Sequence, residues 1–420
     1  MNKTVSPGAL SGRFRAPASK SHAHRLLICA ALGKEPVTIS CGTFSDDILA
    51  TIDCLRALGA QIQCAGEKIT VTPIFASPRK ETSCALFCRE SGSTLRFLLP
   101  VVGALGLRAV FHMEGRLPQR PLHPFDALLC ARGMKIWQEG ALLHAEGQLQ
   151  PGLYSLPGNI SSQYLSGLLF ALPLLDGEST LQITGALQSE NYLAMTEQAV
   201  LQSGIRFQKR DNCFLIPGAQ EYHLPDGLMA EGDWSGASFF LCAGALSDAG
   251  ILAQGLNKQS PQADRAVLEL LRRFGAEVSC EDGGILVKAA PLRAITIDAG
   301  PIPDLIPAVA AVAAFAEGET KITNAARLRL KESDRLRAIA ETIHRLGGSV
   351  QELSDGLIIT GCGHLPGGTV DSFADHRIAM LGAILAGGCA APVTILGAQC
   401  TSKSYPEFWQ TLETLKGECL

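Results

Sequence analysis

Cationic side chains gather in this chain where an isolated helix would reject them. Lys331 and Arg335 stand in Lys331-Glu332-Ser333-Asp334-Arg335, and Arg377 in Asp375-His376-Arg377. Lys20 and Arg25 flank Ser21, and Arg96 closes Gly92-Ser93-Thr94-Leu95-Arg96. Each stretch opens a helical pattern. A helix N-terminus carries about half a positive charge, so a cation there costs about 0.3–1 kcal/mol unless an anion joins it. A phosphate or carboxylate reverses the sign, because backbone N–H groups and the dipole both attract it. Lys331 and Arg335 are four residues apart and share one face. Ser91, Ser161 and Ser162 begin helices as caps or as phosphate donors, and Gln163, Ser189, Tyr192, Arg120, Asp304 and Lys403 lie in comparable places. Singly, each has an ordinary explanation: Ser19 or Ser333 caps a helix, Asp304 caps another, and His376 is structural. Together they describe a site for a small polyanion.

What must position these groups is a repeat. Gly59, Gly133, Gly204, Gly275, Gly347 and Gly417 recur at intervals of 70–74 residues, each closing an amphipathic helical pattern. Glycine past a helix end takes the left-handed conformation of a C-cap. After the first five comes a hairpin pattern, as in residues 60–73, 205–217, 276–289 (turn Asp282-Gly283-Gly284) and 349–361. Before each glycine the periodicity predicts a helix of 12–15 residues, with Leu336, Ile339, Ile343 and Leu346 along one face. Upstream lie a short strand (37–40, 180–184, 320–323, 392–396) and a more apolar helix. The unit reads strand–helix–strand–helix–hairpin, a βαβαββ repeat present six times. Pro225-Asp226-Gly227 marks a seam after three copies, so two lobes of three copies are expected, with the site in the cleft between them. The fourth copy, at Gly232-Asp233-Trp234-Ser235, offers no evident ligand and reads as structural.

Composition narrows the class. The chain has 420 residues, 47 % of them hydrophobic, and a net charge of −4, which disfavours a nucleic-acid partner. No apolar run reaches the ~18 residues of a membrane span, and the first residues lack a secretory apolar core. The 14 cysteines are scattered without a Cys-x-x-Cys, and Cys29 and Cys242 sit in apolar patterns as small hydrophobes. A reduced, cytoplasmic protein outside the membrane is expected.

Several stretches are specific. Residues 17–25 (with Lys20, Ser21 and Arg25), Gly92–Arg96, Gln119-Arg120-Pro121, Ser161-Ser162-Gln163-Tyr164, Arg329–Arg335, Asp375-His376-Arg377 and Ser402-Lys403-Ser404-Tyr405-Pro406 resemble, in that order, the 5-enolpyruvylshikimate-3-phosphate (EPSP) synthases. The resemblance runs from about residue 16 to about residue 416. It implies an α/β fold of two lobes, each an inside-out α/β barrel of three βαβαββ units, with residues 16–228 in one lobe and 1–15 plus 229–420 in the other. It implies a transferase of aromatic amino-acid (chorismate) biosynthesis that moves the enolpyruvyl group of phosphoenolpyruvate to the 5-hydroxyl of shikimate 3-phosphate. It implies a monomer that closes on its substrates and needs neither metal nor organic cofactor. By position, Lys20, Arg96, Arg120, Arg335, His376, Arg377 and Lys403 would hold phosphoenolpyruvate, with Gly92 beside it. Ser21, Arg25, Ser161, Ser162, Ser189, Tyr192 and Lys331 would hold shikimate 3-phosphate, and Gln163 would lie between the two. Asp304 matches the base at the shikimate hydroxyl, and Glu332 the proton-transfer residue at the methylene carbon, with Lys20 sharing that work.

Two departures stand out. Glu90 occupies a place where many relatives have asparagine, and Arg327 another. Gly92 keeps the small residue that goes with sensitivity to glyphosate. The nearest rival is the enolpyruvyl transferase acting on UDP-N-acetylglucosamine, which typically carries a cysteine in the loop before its Arg-Pro pair. Here that loop is Glu114-Gly115-Arg116-Leu117-Pro118-Gln119. A second rival is a non-catalytic scaffold, against which Lys20, Asp304, Glu332 and Lys403 all speak.

Overall fold

Alternation and capping reappear in the structure, a computed structural model that describes residues 1–76, 83–188, 190–281 and 283–417. The chain divides into a continuous unit, Lys20–Ala230, and a composite unit, Met1–Ser19 with Glu231–Leu420. The first five copies follow the expected order of elements along the chain.

In the continuous unit every sheet has one plan. Ser83–Arg89 runs parallel to Arg108–Met113, which is antiparallel to Leu142–Gly147, with Met134–Glu139 outermost. Leu153–Pro157, Ser179–Thr184, Cys213–Ile216 and Gln208–Arg210 repeat it. Period-two burial decides the faces: in Ser179–Thr184, Leu181 and Ile183 point inward while Gln182 and Thr184 are exposed. The sheet of the first copy takes its parallel strand from far away, Leu228–Met229 pairing with Val37–Ser40. Gly12–Arg15, which precedes the first helix, instead pairs with Ile251–Gln254 of the composite unit. The first and fourth copies have thus exchanged their leading strands. The two crossing stretches are bonded to each other, Asp233 N–H to Pro17 O at 2.7 Å and Ser19 N–H to Glu231 O at 2.6 Å.

The composite unit closes in the same way. Its last copy has no hairpin; Lys3–Val5 pairs antiparallel with Val393–Leu396, which runs parallel to Gly368–Asp371. Without a hairpin there is no chain reversal to make, and Gly417 ends the helix Phe408–Gly417 instead of capping it. That corrects one of the six glycine expectations. The other five all have positive φ, between 80° and 107°. Four of these helices fall short of the expected 12–15 residues: Arg335–Arg345 has 11 and Phe408–Gly417 has 10, and two are shorter still. Phe125–Ala131 starts late because Pro121 and Pro124 occupy the approach, and Val267–Phe274 is preceded by a 3-10 turn, Ala263–Ala266. Asp282 lies outside the described residues.

The leading helices are apolar all round because they are buried all round. Every residue of His376–Leu385 is buried, and it packs with Trp234–Gly244 and Ile306–Ala313. In the continuous unit Gly92–Ala104 packs on Ser162–Ala171. A side chain at Gly167 would collide with the Arg96 main-chain carbonyl, so glycine sets how near these two helices come. Cys29 and Cys242 are fully buried free thiols. Among the described residues, no helix is long and apolar enough to cross a membrane.

Candidate active site

In the composite unit, functional side chains come from the starts of consecutive helices. Arg335 opens the helix Arg335–Arg345, whose cap Asp334 accepts the Arg337 N–H. The Arg335 side chain is 1 % exposed, and carboxylates engage all three of its nitrogens. Nε donates to Asp375 Oδ2 at 2.8 Å, Nη1 to Asp304 Oδ1 at 2.7 Å, and Nη2 to Glu332 Oε2 at 2.7 Å. Asp375 caps the helix His376–Leu385 by accepting the Arg377 N–H, and it also accepts Ser333 Oγ–H at 3.0 Å. One buried guanidinium therefore gathers three acids. Burying an ion costs several kcal/mol unless it is paired and hydrogen-bonded, and Arg335 meets both conditions. Burial opposes its charge, but Asp375, Glu332 and Asp304 outweigh that and raise its affinity for the proton.

Asp304 is the hinge of this cluster. Lys331 Nζ lies 3.1 Å from its Oδ1, Arg377 Nη2 lies 3.9 Å from Oδ2, and Arg377 Nη1 donates to its main-chain oxygen at 2.8 Å. Burial alone would raise its carboxyl. Lys331, Arg377 and Arg335 together outweigh burial and Glu332, and hold Asp304 well below the usual carboxylate range. It stays ionised at neutral pH, able to accept a hydroxyl proton. Burial lowers the Lys331 amine, assisted by Arg335 and Arg327 and opposed by Asp304 and Glu332. Lys403, 6 % exposed, ends the 3-10 segment Ala398–Lys403 that packs on His376–Leu385.

The continuous unit holds a second cluster. Ser91 caps Gly92–Ala104 and Ser161 caps Ser162–Ala171, each side chain accepting a backbone N–H. Gln163 joins the two helix starts: Arg96 Nη1 donates to its Oε1 at 2.8 Å, and its Nε2 donates to Ser93 Oγ at 2.9 Å. Arg96 Nη2 donates to Pro121 O at 3.2 Å, and Tyr164 O–H donates to the same oxygen at 2.6 Å. Gly92 lies under Arg96 and Arg120; a Cβ there would meet their Nη1 atoms at 2.8 and 2.9 Å. Lys20, at the start of Lys20–Ala31, pairs with Asp47 at 2.8 Å. Behind it runs a buried chain of hydroxyls, His24 Nδ1 to Thr51, Thr51 to Thr94, and Thr94 to Ser91, each link 2.7 Å.

Three side chains expected on substrates lie deeper than the sequence suggests. Arg335 is committed to carboxylates, as described. Arg25 is 2 % exposed; Nε donates to Thr196 Oγ1 at 2.8 Å, Nη1 to Ser21 O at 2.5 Å and Nη2 to Tyr192 O at 2.7 Å. Burial pulls its proton affinity down to about 10. Arg25 thus fixes Ser21 and Tyr192, the residues beside it in the expected site. His376 is 1 % exposed beside Asp375. Ser189 lies outside the described residues. Glu90 lies over Gly115, where any side chain would strike its carboxylate. The fourth copy is more than structural: Arg377 Nη2 donates to Ser235 Oγ at 2.9 Å, and Ser235 donates to Asp264. Asp47, Ser235 and Asp264 carried no sequence signal beyond an acid or serine near a helix start. Among the described residues, no three His, Cys, Asp or Glu side chains are grouped to hold a metal.

Cations at helix starts, with Asp304 held ionised among Lys331, Arg335 and Arg377, suit a small phosphorylated and carboxylated substrate pair. Comparisons with known proteins agree. The family model for EPSP synthase (3-phosphoshikimate 1-carboxyvinyltransferase) matches residues 5–412. The 3-phosphoshikimate 1-carboxyvinyltransferase of Clostridium beijerinckii is 40 % identical over 99 % of this chain and 98 % of its own. That of Clostridium acetobutylicum is 41 % identical over 99 % and 97 %. The structure of the EPSP synthase from Acinetobacter baumannii superposes with a TM-score of 0.82 at 25 % identity, covering 99 % of this chain and 98 % of that one. The enolpyruvyl transferase NikO from Streptomyces tendae, at 19 % identity, shares the fold with a TM-score of 0.76, covering 99 % and 97 %.

Proposed function

This chain belongs to the EPSP synthase family, and on that premise we propose how its two clusters divide the reaction. The enzyme transfers the enolpyruvyl group of phosphoenolpyruvate to the 5-hydroxyl of shikimate 3-phosphate, releasing phosphate, within the shikimate pathway. The observation that carries the proposal is Asp304, an ionised carboxylate between Lys331 and Arg335.

Asp304 takes the proton of the shikimate hydroxyl as that oxygen attacks C2 of phosphoenolpyruvate. A proton reaches the C3 methylene in the same addition, from Glu332 with Lys20 sharing the work. The adduct then breaks its C2–O bond to phosphate and returns a proton from C3 to the Glu332 carboxylate, which restores the double bond. Positioned acids and bases of this kind contribute about 10²–10⁴-fold. Lys20, Arg96, Arg120, Arg377 and Lys403 hold the donor, with His376 behind them and Gly92 leaving room. The donor carboxylate takes the place of Glu332 on Arg335, which frees Glu332 for proton transfer. Lys331, Ser21, Ser161, Ser162, Ser189 and Tyr192 hold shikimate 3-phosphate, Arg25 steadies Ser21 and Tyr192, and Gln163 touches both substrates. The fixed cations stabilise the charge that develops on the leaving phosphate.

The test is phosphate release by the purified chain given both substrates. Asp304→Ala, with circular dichroism unchanged, should lose nearly all of it; an unaffected rate refutes the assignment. The proposal includes a cytoplasmic monomer, and light scattering at a mass above one chain would overturn the second part.

A further inference from the structure

One buried acid outside the expected residues faces this site. Asp264 belongs to the 3-10 turn Ala263–Ala266 and is 2 % exposed. Its Oδ2 accepts the Ser235 hydroxyl proton, and among the described residues its Oδ1 has no hydrogen-bond partner. A buried oxygen left so is costly, which asks for a compensating role. Ser235 stands in the first turn of Trp234–Gly244, its N–H held by the Asp233 cap at 3.1 Å. A hydroxyl has one proton. With that proton given to Asp264, Ser235 presents a lone pair to Arg377, whose Nη2 donates to it at 2.9 Å. The other fork of the guanidinium is tied to the Asp304 main-chain oxygen at 2.8 Å. Ser235, backed by Asp264, therefore helps fix the plane of Arg377 together with the Asp304 main-chain oxygen and carboxylate.

We propose that Asp264 is a positioning residue for enolpyruvyl transfer: through Ser235 it sets the plane in which Arg377 receives the anionic donor. The proposal rests on the assignment of Arg377 to phosphoenolpyruvate. Arg377, Asp304, Asp233 and Ser235 act on Asp264 through charge or hydrogen bond. Burial raises its carboxyl to about 6, with Asp304 and Asp233 in support and Arg377 and the Ser235 bond opposing. Below that pH the protonated acid no longer claims the serine proton, and Arg377 loses the hold it has through Ser235. Donor KM should rise on the acid side.

The experiment compares the full chain with Asp264→Asn, Ser235→Ala and the double variant. Each single variant should raise KM for phosphoenolpyruvate about tenfold, change kcat less than about threefold and leave KM for shikimate 3-phosphate unchanged. The double variant should cost no more than either single one, because both cut one relay. The acid-side rise in donor KM should vanish in Asp264→Asn; the titration of the donor's own phosphate is common to both proteins and cancels in their ratio. An Asp264→Asn enzyme that binds the donor as tightly as the parent, or more tightly, overturns the proposal, since the acid is then only a repulsive charge. Additive effects in the double variant overturn it too. Nitrogen NMR of the Arg377 guanidinium reads the same claim without turnover: slow rotation in the parent, faster in Ser235→Ala. Unchanged rotation overturns the positioning role, whereas a parent that turns over neither substrate overturns the functional assignment instead.

Discussion

Gly92→Ala tests how closely the donor cations are held. The new Cβ would stand 2.8 Å from Arg96 Nη1 and 2.9 Å from Arg120 Nη1, where ordinary contact begins at 3.4 Å. Each guanidinium must retreat by about half an ångström. The backbone accepts the change, because Gly92 opens a helix and has no positive φ, and alanine is the better helix former by up to about 1 kcal/mol. The fold should be as stable as before. A misplacement of about 1 Å costs on the order of a hundredfold, so half of that should raise KM for phosphoenolpyruvate about tenfold. KM for shikimate 3-phosphate should stay within about twofold, since the proposal assigns Arg96 and Arg120 to the donor. Steady-state kinetics with each substrate varied in turn measures both, and thermal denaturation checks the fold. Unchanged donor KM would refute the reasoning, because it would mean that neither arginine reads the donor. A large rise in both KM values with a lower Tm would refute it differently, as a general loss of structure.

Glyphosate should inhibit the parent enzyme competitively with phosphoenolpyruvate, and Gly92→Ala should need about tenfold more of it; no inhibition of the parent at millimolar glyphosate ends that idea. Arg335→Met strands Asp304, Glu332 and Asp375 without their shared cation and should destabilise the chain by about 3–5 kcal/mol in urea at pH 7. A loss below about 1 kcal/mol would contradict the paired geometry. His24 is buried neutral, its ring lowered from 6.5 to about 3 by burial, while in the unfolded chain it protonates near 6.5. The unfolded state then binds the extra proton, so stability falls as pH drops from about 6.5 toward 3, by at most about 5 kcal/mol. His24→Asn should flatten that part of the stability-against-pH curve, and an identical curve would show that the imidazole is protonated in place.

Five of the six leading helix starts were legible because each joins a cap or a cation to an apolar run, and local chemistry fixes where such helices begin; Ile306–Ala313 has no side-chain cap and starts two residues after Asp304. The hairpins were legible for the same local reason. Strand partnership was not. Gly12–Arg15 and Leu228–Met229 carry nothing that says which copy each will join, and their exchange is decided by packing across the chain. The acid–cation pattern of Lys331, Glu332 and Arg335 stood out within five residues, but the partners that define Arg335 come from 31 and 40 residues away. Asp47, Ser235 and Asp264 look in sequence like ordinary residues of a first helical turn, where an acid or serine is favourable anyway. Their contacts with Lys20 and Arg377 depend on which helix starts the fold brings together. Burial was hidden for the same reason: Arg25 and His376 read as substrate ligands, and only the neighbouring helices show them to be covered.

The central claim is an addition–elimination that consumes both substrates, with Asp304 as the base. A phosphorus NMR time course of the purified chain with phosphoenolpyruvate and shikimate 3-phosphate tests it most directly. Inorganic phosphate and the enolpyruvyl ether of shikimate 3-phosphate should appear in equal amounts in the parent and not in Asp304→Asn, and UDP-N-acetylglucosamine should not replace the acceptor. Phosphate released without consumption of shikimate 3-phosphate, or an Asp304→Asn protein as fast as its parent, would contradict the account.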